Sequence, residues 1–226
     1  MPQDDSDPRY RPITDEEEAW LQERVNLLNR LAADEEPEDA PVAPAGAAIL
    51  FLDLDDVMCL AAPFGGHDAF DALTGKRLDV ERVYRTLFHA PAVKALRKVH
   101  ERLGGRLRYV ISSTWRTIFN RAQLRHVLRE AGLGFVADGL EDRARWATPV
   151  LDEHDRHAEI GVWLARYHAG EPFAVIDDSR SGATLDAALA DPDRIVICTP
   201  EVGLEMQHVA QLARALTTPK TNNEWW

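Results

Sequence analysis

A chain of 226 residues, 45% of them hydrophobic, can bury a full core, and one catalytic domain with an extension is its natural organisation. Its two cysteines, Cys59 and Cys198, are too few for a disulfide scaffold or a thiolate zinc site and read as free thiols. The formal charge of −12 would argue against a polyanionic partner if spread evenly, but residues 1–46 carry 13 acidic and 4 basic side chains, net −9, which leaves net −3 for the remainder.

The first segment also holds 6 of the 13 prolines, a composition shift that sets a boundary near Gly46 between an N-terminal arm, 1–46, and a body, 47–226. Within the arm, Thr14-Asp15-Glu16-Glu17 forms a capping box, and Trp20, Leu21, Val25, Leu28 and Leu31 follow at helical spacing. One amphipathic helix is expected there, followed by a Pro/Ala linker from Glu35 to Ala47. The arm is expected to move freely, as an acidic regulator or as the docking element of a partner. The start Met-Pro-Gln-Asp-Asp lacks the basic and apolar regions of a secretory signal, and the longest apolar stretches are strand-sized, so the expected address is cytoplasmic.

From residue 47 onward strand and helix patterns alternate, which predicts an α/β domain with a mostly parallel sheet. Strands are expected near 48–53, 107–112, 134–137, 173–177 and 194–198, five in all. The first, Ile49-Leu50-Phe51-Leu52, runs straight into Asp53, Asp55 and Asp56. At ~4 Å and an effective dielectric of about 20, two ionised carboxylates repel by roughly 4 kcal/mol. Such a cluster therefore needs a cation, a shared proton or a solvated turn, and the first option predicts a metal enzyme. The bland reading is an Asx turn at a strand end. Between Asp56 and Pro91 come a loop around Gly65-Gly66 and a short helix near 79–88; a helix then starts at Pro91 and stops at Gly104-Gly105. The second strand ends in Ser112 and Ser113. Helices are expected over 121–131, 156–167 and 205–216, and the fourth strand ends in Asp177 and Asp178.

Taken in order, Asp53-x-Asp55, an apolar run to Ser112, Arg156 opening a helix, and the pair Asp177-Asp178 resemble the haloacid dehalogenase (HAD) superfamily of phosphotransferases. The resemblance covers about residues 47–215 and is specific as an ordered set. It implies a three-layer Rossmann-like domain with a five-stranded sheet and a minimal cap, since the insertion after Asp56 is short. It also implies Mg²⁺ held by Asp53, Asp55, Asp177 and Asp178, with Asp178 the favoured direct ligand; Asp53 as nucleophile; Asp55 as acid and base; and Ser112 and Arg156 as phosphate contacts. Ser113 is the alternative to Ser112, and Arg116 a further substrate contact. No lysine lies between Lys98 and Lys220, so an arginine must replace the family's usual lysine, with Arg143 and Arg145 as competitors of Arg156. Asp56 stands where the family has glycine, in a turn that must accept a side chain. The short insertion and Ser112-Ser113-x-Trp115-Arg116 are similar to the HAD domains of nucleic-acid end-repair proteins, which makes an RNA or DNA terminal phosphate one candidate substrate beside nucleotides and phosphoproteins.

Other classes compete. A receiver-type signalling domain also clusters acids after its first strand, but it needs its phosphorylated Asp on a middle strand and a late lysine. A non-catalytic module using the acidic arm would not need both Asp53 and Asp55. Arg121, Arg125 and Arg129, at i, i+4 and i+8, read either as a solvated helix face or as a track for a phosphate backbone. Cys59 reads as a buried thiol rather than a redox sensor, His154 and His157 as surface residues, and Trp225-Trp226 as a frayed tail.

Overall fold

The computed structural model describes residues 14–34, 47–142, 144–151, 155–187 and 192–219. Linker residues 35–46, Arg143, His154 and the Trp225-Trp226 tail lie outside them, and so does the expected boundary at Gly46.

Among the described residues, four parallel strands form the sheet: β1 (Ala48–Leu52), β2 (Leu107–Ile111), β3 (Phe173–Asp178) and β4 (Ile195–Cys198), in the order β2-β1-β3-β4. Apolar side chains alternate across it, as a strand's two-residue period requires. Leu50, Leu52 and Ile176 enter one core, whereas Ile49, Phe51 and Val175 enter another on the opposite face. Helices cover both faces, which gives three layers. On the smaller face, α8 (Arg156–Tyr167) lays Ile160 and Trp163 against the sheet, with the Phe51 and Trp163 rings edge to face at 5.1 Å.

The expected strand at 134–137 is a helix instead, α7 (Gly134–Gly139), so among the described residues the sheet has four strands and not five. Leu133, Val136, Ala137 and Leu140 are fully buried, and their spacing is that of one helix face. Gly139 lets this helix sit close to β2: a Cβ there would lie 2.6 Å from the Leu107 carbonyl oxygen. The outer edge of β2 is met by the segment after α7, through isolated parallel bridges Tyr109–Leu140 and Ile111–Ala147. Between those bridges the Asp142 side chain accepts from the Ala144 amide, and its carbonyl accepts from the Arg145 and Trp146 amides.

The insertion after Asp56 holds two helices, α2 (Gly66–Leu73) and α3 (Val80–Thr86). Both bury their apolar residues, Ala69, Leu73 and Val83 among them, in the core of the body rather than forming a separate lid. Pro91 stands in the first turn of α4 (Ala90–Arg102). The terminal helical segment divides into a 3-10 turn at Met206–His208 and α9 (Val209–Ala215).

The arm's helix forms as α1 (Asp15–Ala32) with its capping box, but it is seated on the body and not swung free. Leu27, Leu28 and Leu31 pack into the main core, and Arg24 donates to the Ala72 carbonyl at 2.8 Å. Its C-terminal end meets α6 (Arg121–Glu130): Asn120 Nδ2 donates to the Leu31 carbonyl at 2.6 Å, and the Ala122 amide donates to Asp34 Oδ1 at 2.8 Å. Trp20, Leu21 and Val25 stay exposed. None of the described helices is long and apolar enough to cross a membrane.

Candidate active site

β1 lies between β2 and β3, and the chain crosses over it in passing from one to the other, so the carboxyl ends of these strands meet where α/β sheets bind ligands. β1 delivers Asp53, β2 delivers Ser112, and β3 delivers Asp177 and Asp178. Asp53, Asp177 and Asp178 are all buried, and each offers a carboxylate oxygen within 4.8 Å of the others. Burial pushes the Asp53 carboxyl well above its ordinary range, and the Asp177 charge adds to this while Arg156 opposes it. Asp177 is also raised by burial, with Arg156 again opposing.

Arg156 opens α8 pointing into this cluster, its Nε 2.9 Å from Asp177 Oδ2 and its Nη2 3.5 Å from Asp53 Oδ1. Despite burial, the Asp177 and Asp53 charges raise its own pKa. Among the competing cations, Arg145 is engaged at the surface by Asp142 at 2.6 Å. Ser181 Oγ bridges the acidic pair, 2.5 Å from Asp177 Oδ1 and in contact with Asp178 Oδ2. The Arg180 amide donates to Asp178 Oδ1 at 2.6 Å. Gly182 must be glycine here, because a Cβ would lie 2.6 Å from the Asp178 carbonyl oxygen.

Two buried atoms at the centre have no hydrogen-bond partner among the described residues: Asp53 Oδ2 and Ser112 Oγ. Native structures leave few such groups, and those that persist call for an explanation. Here one is a carboxylate oxygen and the other a hydroxyl, at the tips of adjacent strands.

Asp55 is held from the other side. Trp115 Nε1 donates to Oδ1 at 2.8 Å and Thr114 Oγ1 to Oδ2 at 2.9 Å. Both donors sit at the start of α5 (Trp115–Ile118), the turn that follows Ser112-Ser113. The Trp115 ring closes over Gly66, where a Cβ would approach it to 2.9 Å. Asp56 takes the left-handed φ of 54° that its place after the strand demands, and its carboxylate binds Arg180 at 2.9 Å.

Several expected roles move. Arg116 is turned inward: Nη1 donates to the Ser112 and Ser113 carbonyls, at 2.6 Å for Ser113, and Nη2 meets Glu159 Oε2 at 2.7 Å. These contacts hold its guanidinium between the Ser112-Ser113 turn and α8. Ser113 Oγ accepts from the Trp115 amide at 3.4 Å, whereas Ser112 Oγ has no partner among the described residues. The arginine row on α6 divides between core and surface, with Arg129 exposed. Arg121 and Arg125 are buried, with Arg121 Nε on the Glu141 carbonyl at 2.6 Å, and Arg129 pairs with Asp138 at 2.8 Å. His157 is half-buried, its amide on Thr184 Oγ1. Glu159 is a residue to which the sequence pattern assigns no role. It is fully buried, binds both Arg116 and Arg156, and stands at i+3 from Arg156, a spacing that marks a side-chain pair on a helix.

The parallel sheet and the convergence of its strand ends define a HAD-like α/β domain, and such a domain supports chemistry of the hydrolase or phosphatase type. More particularly, residues 49–209 match the family described as "HAD domain in Swiss Army Knife RNA repair proteins", and the chain belongs to that family. No curated protein and no solved structure matches the chain.

Proposed function

We propose that this protein is a cytosolic, Mg²⁺-dependent phosphomonoesterase that removes a terminal phosphate from RNA through an aspartyl-phosphate intermediate. The observation that carries the reading is the unpartnered Asp53 Oδ2, buried at the tip of the central strand beside Ser112 and the Asp177-Asp178 pair. The RNA end as substrate is supported by the family, whose description names RNA repair proteins.

Three clustered carboxylates are a hard oxygen donor set that suits Mg²⁺, and Asp53, Asp177 and Asp178 would hold it, with Asp55 on the same turn. When bound, the ion would offset the mutual repulsion of these carboxylates and the negative charge of the phosphoryl group. The protein's own groups account for the remaining steps. An Asp53 oxygen attacks phosphorus in line while the bond to the ester oxygen breaks, and Asp55 gives that leaving oxygen its proton. Water then attacks the acyl phosphate, Asp55 takes the water's proton, and the Asp53–phosphorus bond breaks to release inorganic phosphate. Ser112 Oγ donates to a phosphoryl oxygen, and Arg156 offsets the charge that grows on these oxygens.

The test is phosphate release from short RNAs bearing a 5′- or 3′-terminal phosphate, with and without Mg²⁺. Turnover should require the metal and fall by several orders of magnitude in Asp53→Asn. Asp55→Asn should lose 10²- to 10⁴-fold, the usual worth of positioned proton transfer. Near-normal activity in Asp53→Asn, or turnover without a divalent ion, defeats the mechanism.

A further inference from the structure

A cleft of about 310 Å³ runs between residues 144–150 and helix α8, and Arg116 forms part of its wall. Its size lies at the low end of the range for small-molecule sites. Trp146 and Tyr167 contribute aromatic rings, and Val162, 43% exposed, contributes an aliphatic edge. Arg166 holds its guanidinium 5.2 Å from the centre of the Tyr167 ring. Two side chains of this wall each contain a buried atom without a hydrogen-bond partner among the described residues: Arg116 at Nε and Thr148 at Oγ1. Both atoms are enclosed within the wall, and what the cleft itself presents to a ligand is the Trp146 and Tyr167 rings and the Arg166 guanidinium.

The cleft is tied to the acid cluster. Arg116 also grips the Ser112 and Ser113 carbonyls, so the cleft's wall backs onto the turn that carries the candidate phosphate hydroxyl. From Arg156 the axis of α8 advances about 9 Å to Val162 and about 16 Å to Tyr167, at 1.5 Å per residue. A ligand that stacks on aromatic and guanidinium planes and is tethered along a strand to a phosphate at the acid cluster is a nucleobase.

We propose that this cleft is a base-binding subsite, which seats a nucleobase of single-stranded RNA near the terminal phosphate held at Asp53; the proposal rests on the RNA phosphomonoesterase reading above. The body's nearly neutral charge fits such a division of labour, in which stacking adds affinity that a basic surface would otherwise supply.

The experiment compares kcat/KM for a phosphorylated single-stranded RNA with that for the same RNA carrying one abasic residue, moved stepwise away from the phosphate. Wild-type protein should prefer the intact RNA about tenfold at one of these positions, the worth of a lost stack. Val162→Trp, which fills the cleft from a solvent-facing helix position, should bring that ratio to about one, and Trp146→Ala should lower it too. Because the readout is a ratio on one preparation, partial unfolding does not mimic it. A wild-type ratio near one at every position overturns the subsite alone, as does a ratio unchanged in Val162→Trp. If p-nitrophenyl phosphate is hydrolysed but no RNA releases phosphate, the RNA reading falls and the subsite falls with it.

Discussion

Glu159 and Arg116 meet at 2.7 Å in a contact almost sealed from solvent, and Arg156 reaches the same carboxylate oxygen at 2.9 Å. One buried carboxylate therefore joins the turn after β2 to the first turn of α8, and with it the hydroxyl and the cation of the candidate site. Breaking a buried pair from one side costs about 3–5 kcal/mol, because the remaining charge is left without compensation. Glu159→Gln should lower the thermal midpoint by about 10 °C and reduce kcat more than it raises KM. Adding Arg116→Met should recover part of the stability, since one buried cation fewer then needs a counter-charge. A Glu159→Gln protein that melts with wild type shows that the two guanidiniums find other partners.

Gly66→Ala tests how Asp55 is held. The added Cβ would lie 2.9 Å from the Trp115 ring, whose Nε1 donates to Asp55, so the indole must shift. Turnover should fall toward that of Trp115→Phe, which lacks the donor, while Mg²⁺ affinity measured by calorimetry stays close to wild type. Wild-type kinetics in Gly66→Ala would mean that the Trp115 bond does not place Asp55.

The acidic pair should divide its labour unevenly. Asp177 is committed to Arg156 and Ser181, whereas Asp178 accepts from Ser181 and from backbone amides and is spared the guanidinium. Asp178→Asn should raise the Mg²⁺ concentration for half-maximal activity more than Asp177→Asn does. Ca²⁺, which takes 6–8 oxygen ligands in looser geometry, should compete without supporting turnover. The reverse order of the two variants in a metal titration would reassign the direct ligand.

Both cysteines should be inert in the native protein. Burial pushes the Cys59 thiol up to about 12 and the Cys198 thiol likewise to about 12, and neither is solvent-exposed. Ellman's reagent at pH 8 should find no fast-reacting thiol in the folded chain and both after unfolding. Rapid native modification of Cys59 would overturn its reading as a buried thiol and favour a redox sensor.

The strand ends were legible because a buried parallel strand that stops at a carboxylate or hydroxyl breaks its own apolar pattern, as at Asp53, Ser112 and Asp177. Asp56 was legible for a similar reason, since a left-handed residue in that turn tolerates few side chains. The strand at 134–137 was misread because a short apolar run fits either period; Leu133 and Leu140, just outside it, carry the helical spacing. The arginines of α6 misled because charge is a poor guide to exposure when backbone carbonyls such as that of Glu141 wait inside. The grip of Trp115 on Asp55 and of Ser181 on the acidic pair joins residues that only the tertiary fold or a tight turn brings together.

The contact between α1 and α6 has a dynamic consequence. Asn120 both caps the start of α6, through the Gln123 amide, and donates to the Leu31 carbonyl, while Asp34 at the end of α1 accepts from the Ala122 amide. Each helix end thus supplies the orphan groups of the other, across 88 residues of chain. Neither end can fray alone. Amide exchange at Ala122 should keep pace with the last turn of α1, slower than at the exposed start around Trp20, so that breathing of the arm is transmitted to the stretch just beyond Trp115 and Arg116.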